Sequence, residues 1–408
     1  MFPLFIFRFR SRYDVRRFIR RLALCGSDSM VRLVVFISRR FSPDTRGIGM
    51  RNVLLIAGVL LSLSALDTHA RQRPLSPEEK SALQKIQIVS IDTLALTERG
   101  AVESSDIRRV VTDRIRDLGY TVSTDKQQPS DIVVKVKCEE RKTWLGPTRL
   151  GGDADSLHAP SRVWKGPACQ ITYYFPESPD SPSPWRREVR TPFADAMRAA
   201  QEHHVSDSGA YAMQALAQEL RQDPFPLLLA AEWRHVHRLI AALNRPNIPP
   251  ARQRLVLQLL GDIPDPQALA TLEKALKVPE LAPTAAIALG QHGAAAIRPL
   301  VTLLEHTDSS ALKKAAVAGL GIIGTHHEDP MLFEVLKNTL QHSPTPIDVT
   351  IEVVNALGKL GDERAISLLQ ELNRRAWTDP SRSPEMQRLR EALSWSLWQL
   401  IPEAHTAE

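Results

Sequence analysis

Four segments decide how this chain reads: Val256-Leu257-Gln258-Leu259-Leu260-Gly261-Asp262, Ala288-Leu289-Gly290-Gln291-His292-Gly293, Gly319-Leu320-Gly321-Ile322-Ile323-Gly324 and Ala356-Leu357-Gly358-Lys359-Leu360-Gly361-Asp362. A second amphipathic run follows each one. These runs carry Ala268, Leu269, Leu272 and Leu276; Ala296, Ile297, Leu300 and Leu304; Leu332, Phe333, Leu336 and Leu340; and Ala365, Ile366, Leu369 and Leu372. The terminal glycines lie 32, 31 and 37 residues apart, which is the period of a solenoid of paired helices. One such pair cannot bury its apolar face alone, so neighbouring pairs must stack. The glycine is expected to let the chain turn sharply after the first helix, with Gly324 at a positive φ. Small Ala and Gly residues inside that helix should let neighbours approach closely.

These four copies resemble the HEAT-repeat family, in particular the short Ala-Leu-Gly-x-x-Gly type of phycobilisome-lyase-like repeats. The resemblance covers about residues 250–401 and implies an α-solenoid used for protein–protein interaction. It also permits an accessory factor or lyase-like enzyme. Two flanking helices lack the glycine motif: Leu227 through Leu243, and Met386 through Ile401, where Leu397-Trp398-Gln399-Leu400-Ile401 occupies the place of the motif. Both read as caps, because a repeat array otherwise ends in an uncovered hydrophobic face.

Upstream of about Pro226 the pattern mixes strands and helices. Ile86, Ile88, Val89 and Ile91 form a run of strand length, and Ser104-Ser105-Asp106 offers a cap to a helix bearing Ile107, Val110, Val111, Ile115 and Leu118, with Gly119 at its end. Tyr120–Val122, Asp131–Cys138 and Cys169–Phe175 read as strands, the last two alternating apolar and polar positions. The proline-rich stretch Pro176–Pro184 reads as a loop before another strand at Trp185–Arg190, and a helix from about Ser206 to Arg221 closes the unit. The fold class is therefore an α+β domain over 83–224 followed by an all-α HEAT-like solenoid over 225–401, with a polar linker at 71–82 and a disordered tail at 402–408.

The formal charge of +6 would suggest a nucleic-acid partner until it is located. Residues 1–49 hold eleven Arg against three Asp, which leaves the chain from Arg71 onward at −2. Residues 50–70 have a basic start at Arg51, an apolar run from Val53 to Leu63 and a small-residue end at Thr68-His69-Ala70, the three-part layout of a secretory signal. Cleavage near Ala70 would give a periplasmic or secreted product with no stable membrane insertion. The stretch 1–49 reads as lying upstream of the true start at Met50; a basic amphipathic arm is the alternative.

No catalytic constellation emerges, and neither a cofactor nor a metal is expected. Gly319-Leu320-Gly321-Ile322-Ile323-Gly324 fits the dinucleotide pattern literally, but a helix runs into it where a strand is required. The clusters His326-His327-Glu328-Asp329 and Glu202-His203-His204 with Asp207 lack a ligand set repeated at the solenoid period. His235 and His237, two apart on one expected helix, should point in different directions. Trp144, Trp164 and Trp185, interleaved with Arg and Lys, read either as cover for an open sheet face or as a ligand-contact patch.

Two expectations remain. Cys138 and Cys169, each on an apolar strand face, would oppose each other if their strands pair antiparallel, and would form a disulfide in an oxidising compartment; two buried thiols are the alternative. Second helices of stacked pairs typically line the concave face. There the outward positions include Thr271 and Lys274, Arg298 and Thr302, Glu334 and Asn338, and Glu371. With no row of Lys and Arg, that surface suits a protein or peptide partner better than a nucleic acid.

Overall fold

A computed structural model describes residues 75–401 apart from 124–128, 141, 147–160, 180–182, 342–344 and 382, with backbone only at 142–146 and 161–165. The leader at 1–49, the signal-like stretch at 50–70 and the tail at 402–408 lie outside the described residues, as do the side chains of Trp144 and Trp164.

Order starts inside the stretch expected as a linker. Helix α1 (Pro77–Leu83) is nucleated by a capping box in which Ser76 accepts from the Glu79 backbone and Glu79 reaches back to the Ser76 N–H at 2.7 Å. Strands β1 (Ile88–Thr97), β2 (Gly100–Val102), β3 (Thr121–Ser123), β4 (Ile132–Glu139), β7 (Ala168–Tyr174) and β8 (Arg187–Arg190) form one sheet in the order β2-β1-β4-β7-β8, with β3 beside β1. A separate hairpin joins β5 (Lys142–Gly146) to β6 (Ser161–Lys165). Helix α2 (Ser105–Asp117) makes the crossover from β1 to the parallel strands β3 and β4. The short α3 (Ala196–Glu202) precedes α4 (Ser208–Gln222), which packs beside α2 against the sheet. The alternation works as read: Ile132, Val134, Val136 and Cys138 are buried, while Lys135 and Lys137 face outward. Strand β2, the hairpin and α3 were not expected. All are short, and none carries a long enough periodic run to announce itself.

Strand β4 pairs antiparallel with β7 in a register that sets Cys138 directly opposite Cys169, and the two are joined by a disulfide. Their Cα atoms are 3.9 Å apart, closer than the ~5.5–6 Å common to such bridges.

The helical array begins where Asp223 ends α4, holding Arg187 through an ion pair of 2.7 Å and accepting from the Phe225 N–H. The expected first cap helix is in fact two, α5 (Phe225–Glu232) and α6 (Val236–Leu243), broken at Arg234 by a left-handed backbone (φ +58°). That break places His235 ahead of α6, and its ring centroid comes within 5.7 Å of that of His237, where one continuous helix would have separated them.

Beyond it, first helices α7 (Pro250–Gly261), α9 (Ala282–Leu289), α11 (Ser310–Gly324) and α13 (Ile347–Leu360) alternate with second helices α8 (Pro266–Ala275), α10 (Ile297–His306), α12 (Pro330–Gln341) and α14 (Ala365–Thr378). A 3-10 segment, Gly290–Ala296, joins α9 to α10, and α15 (Pro384–Leu400) ends the array in the position of another first helix.

Each first helix stacks on the next, and glycine sets the distance. A Cβ added at Gly290 would lie 2.7 Å from the Gly319 carbonyl oxygen, one at Gly321 3.0 Å from Ala356 Cβ, and one at Gly358 2.7 Å from Ser396 Oγ on α15. In the last three motifs the third position thus receives the first position of the next first helix, whereas in the first motif it is Gly261, at the sixth position, that meets Ala288. The turn expectation holds for Gly293 (φ +64°) and Gly361 (φ +72°). It fails at Gly261 and Gly324, both helical: a Cβ at Gly261 would lie 2.9 Å from Ala288, and Gly324 lies against the Leu360 side chain.

One buried cluster fastens the array to the sheet domain. Trp233, fully buried, meets the rings of Tyr120 and Tyr173 edge-on at 5.3 and 5.7 Å. Tyr120 Oη and His235 Nδ1 share a hydrogen bond of 2.7 Å, and the Arg238 guanidinium lies 3.9 Å from the centre of the Tyr120 ring. Arg238 also donates to the Leu118 carbonyl and to Gln87 Oε1, and Tyr173 Oη donates to Glu232. Trp233 Nε1 and Arg238 Nε are buried without a hydrogen-bond partner, so ring packing rather than hydrogen bonding carries much of this contact. Burial, with the charges of Arg238 and His237 beside it, pulls His235 down to about 4.

Two outcomes follow. In Gly319→Ala the new methyl must displace the Ala286 carbonyl oxygen, 2.5 Å away, so thermal unfolding should show a loss of about 1–3 kcal/mol. Gly324→Ala meets the movable Leu360 Cδ1 and should stay within about 1 kcal/mol of wild type. A Gly319→Ala midpoint at or above wild type would refute the close-approach account. The second outcome concerns pH. His235 is neutral in the folded state down to about 4 but takes its proton near 6.5 when unfolded, so stability should be full above pH 6.5 and fall by up to about 3 kcal/mol towards pH 4. Urea unfolding of His235→Gln should show a correspondingly shallower slope across that window, and an identical slope would rule His235 out as its source.

Candidate functional site

With the first helices occupied by stacking, the second helices keep one side free of the core. Buried anchors hold them down: Ala268 and Leu272 on α8, Ile297 and Leu300 on α10, Leu332 and Leu336 on α12, Ala365 and Leu369 on α14. The residues expected to face outward do so to differing degrees. Lys274, Arg298, Thr302 and Asn338 are exposed; Thr271, Glu334 and Glu371 are half-buried.

Their chemistry sorts them further. The Thr271 hydroxyl donates back to the Gln267 carbonyl at 2.7 Å and is spent on its own helix. Glu334 is engaged by Arg364 and Lys337, each at 3.4 Å, and Glu371 by Arg374 and Arg375. Arg364 in turn lies 4.3 Å from the centre of the Phe333 ring and pairs with Asp362 at 2.7 Å. Its hydrogen bonds hold the Asp362 carboxyl below the ordinary carboxylate range. Glu334 therefore belongs to a local network that covers Phe333. Among the described residues no ion pair engages Lys274 or Arg298, so these two are the uncompensated charges of the surface.

Asn338 differs from the other six in lining a cleft of about 340 Å³, with Leu304, Glu305, Lys313, Val335, Thr339 and Val349, where the end of α10 faces the starts of α11 and α13. Sequence pattern placed Asn338 on the outward side but gave no sign of this cleft. Its walls come from helices of neighbouring repeats, and their juxtaposition depends on how the pairs stack.

The remaining sequence candidates resolve into packing. Gly319 and Gly321 lie inside α11 and face neighbouring helices. His203 stacks on Tyr211 at 5.5 Å, and Asp207 caps α4 through the Ala210 N–H. No group of three or more His, Cys, Asp or Glu among the described residues could hold a metal ion. Trp185 packs beside Tyr173, on the buried face of β7, and does not cover the open face of the sheet. No helix among the described residues is long and apolar enough to cross a membrane.

No curated protein matches this chain. Residues 297–384, from α10 to the start of α15, match the family model for HEAT repeats. With the four motif copies and their stacked first helices, that match makes the helical array similar to HEAT repeats, helical-repeat scaffolds that commonly mediate protein interaction.

Proposed function

We propose that this chain is an exported, non-enzymatic binding protein that presents the second-helix face of its solenoid to a protein or peptide partner. The observation that carries export is the Cys138–Cys169 bridge across two paired strands, because such bridges form and persist in oxidising compartments. The signal-like layout of residues 50–70 supports the same reading, of a periplasmic or secreted product.

The surface supports a protein partner. Its exposed cations, Lys274 and Arg298, stand on separate helices, and the carboxylates of Glu334 and Glu371 are interspersed between cations of their own. A nucleic-acid backbone would need a continuous row of Lys and Arg. The mixed, half-apolar face with the Asn338 cleft at its edge fits a folded or extended polypeptide.

Cell fractionation with N-terminal sequencing should find the mature chain outside the cytoplasm, starting near Arg71. Thiol counting under denaturing, non-reducing conditions should find none free in that chain; two free thiols, or a cytoplasmic chain, would overturn export. Arg298→Glu should weaken cross-linking to the native partner about tenfold, or ~1.4 kcal/mol, without moving the melting temperature. Glu334→Lys is the poorer probe, since it releases Arg364 from Phe333 and should lower stability as well. Salt-sensitive binding to DNA or RNA with no cross-linked protein would overturn the partner class.

A further inference from the structure

The two ends of the array differ in chemistry. The far end, at α15, is aromatic: Trp395 and Trp398 stack on each other at 4.9 Å, and Arg390, fixed by the carbonyls of Ala376, Asp379 and Ser381, lies over the exposed Trp377. The near end carries charge. There a cleft of about 220 Å³ opens between the last turn of α2 and the loop that joins α6 to α7. Three arginines line it: Arg114 from α2, Arg245 from the loop and Arg252 from the first turn of α7. Asp117 is the one carboxylate among the lining residues, so the walls carry a surplus of two positive charges.

The cations are held in place by contacts that leave their charge uncompensated. Arg114 donates to the Leu220 and Asp223 carbonyls at 3.4 and 2.9 Å, and Arg252 donates to the Gln222 carbonyl at 2.9 Å, so both grip the end of α4. Arg114 also lies 5.8 Å from the centre of the buried Phe225 ring. Each guanidinium keeps N–H groups that these carbonyls do not use. The Arg245 side chain is exposed and has no ion pair or hydrogen bond among the described residues. Its loop is stiffened by Pro246, Pro249 and Pro250 and by a left-handed Asn247 (φ +61°).

Such a gathering is unfavourable by itself. Burial pulls Arg114 below its ordinary value, and Arg252 and Arg245 act in the same direction, against Asp117 and Asp223. The Asp223 carboxylate is already engaged by Arg187. Arg252 stands in the first turn of α7, where the helix dipole disfavours a cation and no acidic residue offsets it.

We propose that this cleft binds a phosphate group. A phosphate monoester carries about two negative charges near neutral pH and so matches the surplus, whereas one carboxylate would leave half of it uncompensated. Guanidinium forks fit phosphate oxygens bidentately, and arginines already fixed by carbonyls lose little side-chain freedom on binding. The cleft is smaller than the ~300–1,000 Å³ of sites that enclose drug-sized ligands, so it takes the phosphate and leaves outside whatever carries it.

Equilibrium dialysis of the protein against radiolabelled inorganic phosphate, at constant ionic strength, tests this directly. Saturable binding at one site is expected, half-complete below about 10 mM. Arg245→Ala removes an exposed cation without a partner and should weaken binding about tenfold while leaving circular dichroism unchanged. Arg252→Gln, which keeps a donor for the Gln222 carbonyl, should act in the same direction, and Asp117→Asn should tighten binding about threefold. Competition with glycerol phosphate separates the two sources of the group. Tighter binding than inorganic phosphate assigns the site to a phosphate borne on a larger molecule, and weaker binding assigns it to the free ion. No saturable binding up to about 10 mM, or binding that Arg245→Ala and Arg252→Gln both leave unchanged, overturns the proposal. Arg298 lies on α10, away from these residues in the chain, so its partner cross-linking reports separately on the proposed function.

Discussion

The stacking distance between first helices is the constraint on which the rest of the solenoid depends. Where Gly290, Gly321 and Gly358 face Gly319, Ala356 and Ser396, the neighbouring backbone or Cβ comes as close as a side-chain-free position allows. Helices this close can carry only small residues on the contact ridge, which is why Ala285, Ala286, Ala315 and Ala316 fill the buried sides of α9 and α11. Glycine in a helix interior costs about 1 kcal/mol relative to alanine, a cost offset here by dispersion contacts along the whole ridge. Once that ridge is set, each second helix is attached by its own buried Ala, Leu and Ile anchors, and its outward side is left free of the core.

The same constraint explains why the solenoid was legible in the sequence and parts of the sheet domain were not. A repeated glycine at fixed spacing is a local signature of a non-local contact, and four copies of it cannot arise from one turn. The inference from those glycines was still partly wrong in mechanism: Gly293 and Gly361 serve turns, but Gly261 and Gly324 are helical and lie against neighbouring side chains and backbone. A sequence shows that a side chain is absent, and whether the absence frees a dihedral or admits a neighbour is decided by tertiary structure. Similarly, β4 and β7 declared themselves by alternation, and the pairing of Cys138 with Cys169 followed from that alternation once the strands were antiparallel. Strand β2, three residues long, had no such pattern to display.

The junction was the least legible part. Trp233, His235 and Arg238 sit in a stretch that reads as one amphipathic helix, and no local propensity calls for the left-handed Arg234 that splits it. Here tertiary packing overrides the helix pattern. Trp233 must reach Tyr120 and Tyr173 from one side of the break, while Arg238 reaches Leu118 and Gln87 from the other. The Tyr120–His235 hydrogen bond joins residues 115 positions apart, so sequence periodicity contains no trace of it.

These arrangements together limit where the molecule can meet another. The first helices are committed to one another, the near end of the array is committed to the sheet domain, and one face of the sheet is committed to α2 and α4. Among the described residues of the solenoid that leaves the second-helix face and the end at α15. The two surfaces are chemically unlike: one is mixed in charge, with several of its ions already neutralised locally, and the other is aromatic on a rigid support. A surface of the first kind favours selectivity over strength, because rim charges steer and discriminate more than they bind. A cluster of half-exposed tryptophans has the opposite character, since large rigid side chains bury much area at little cost in conformational entropy.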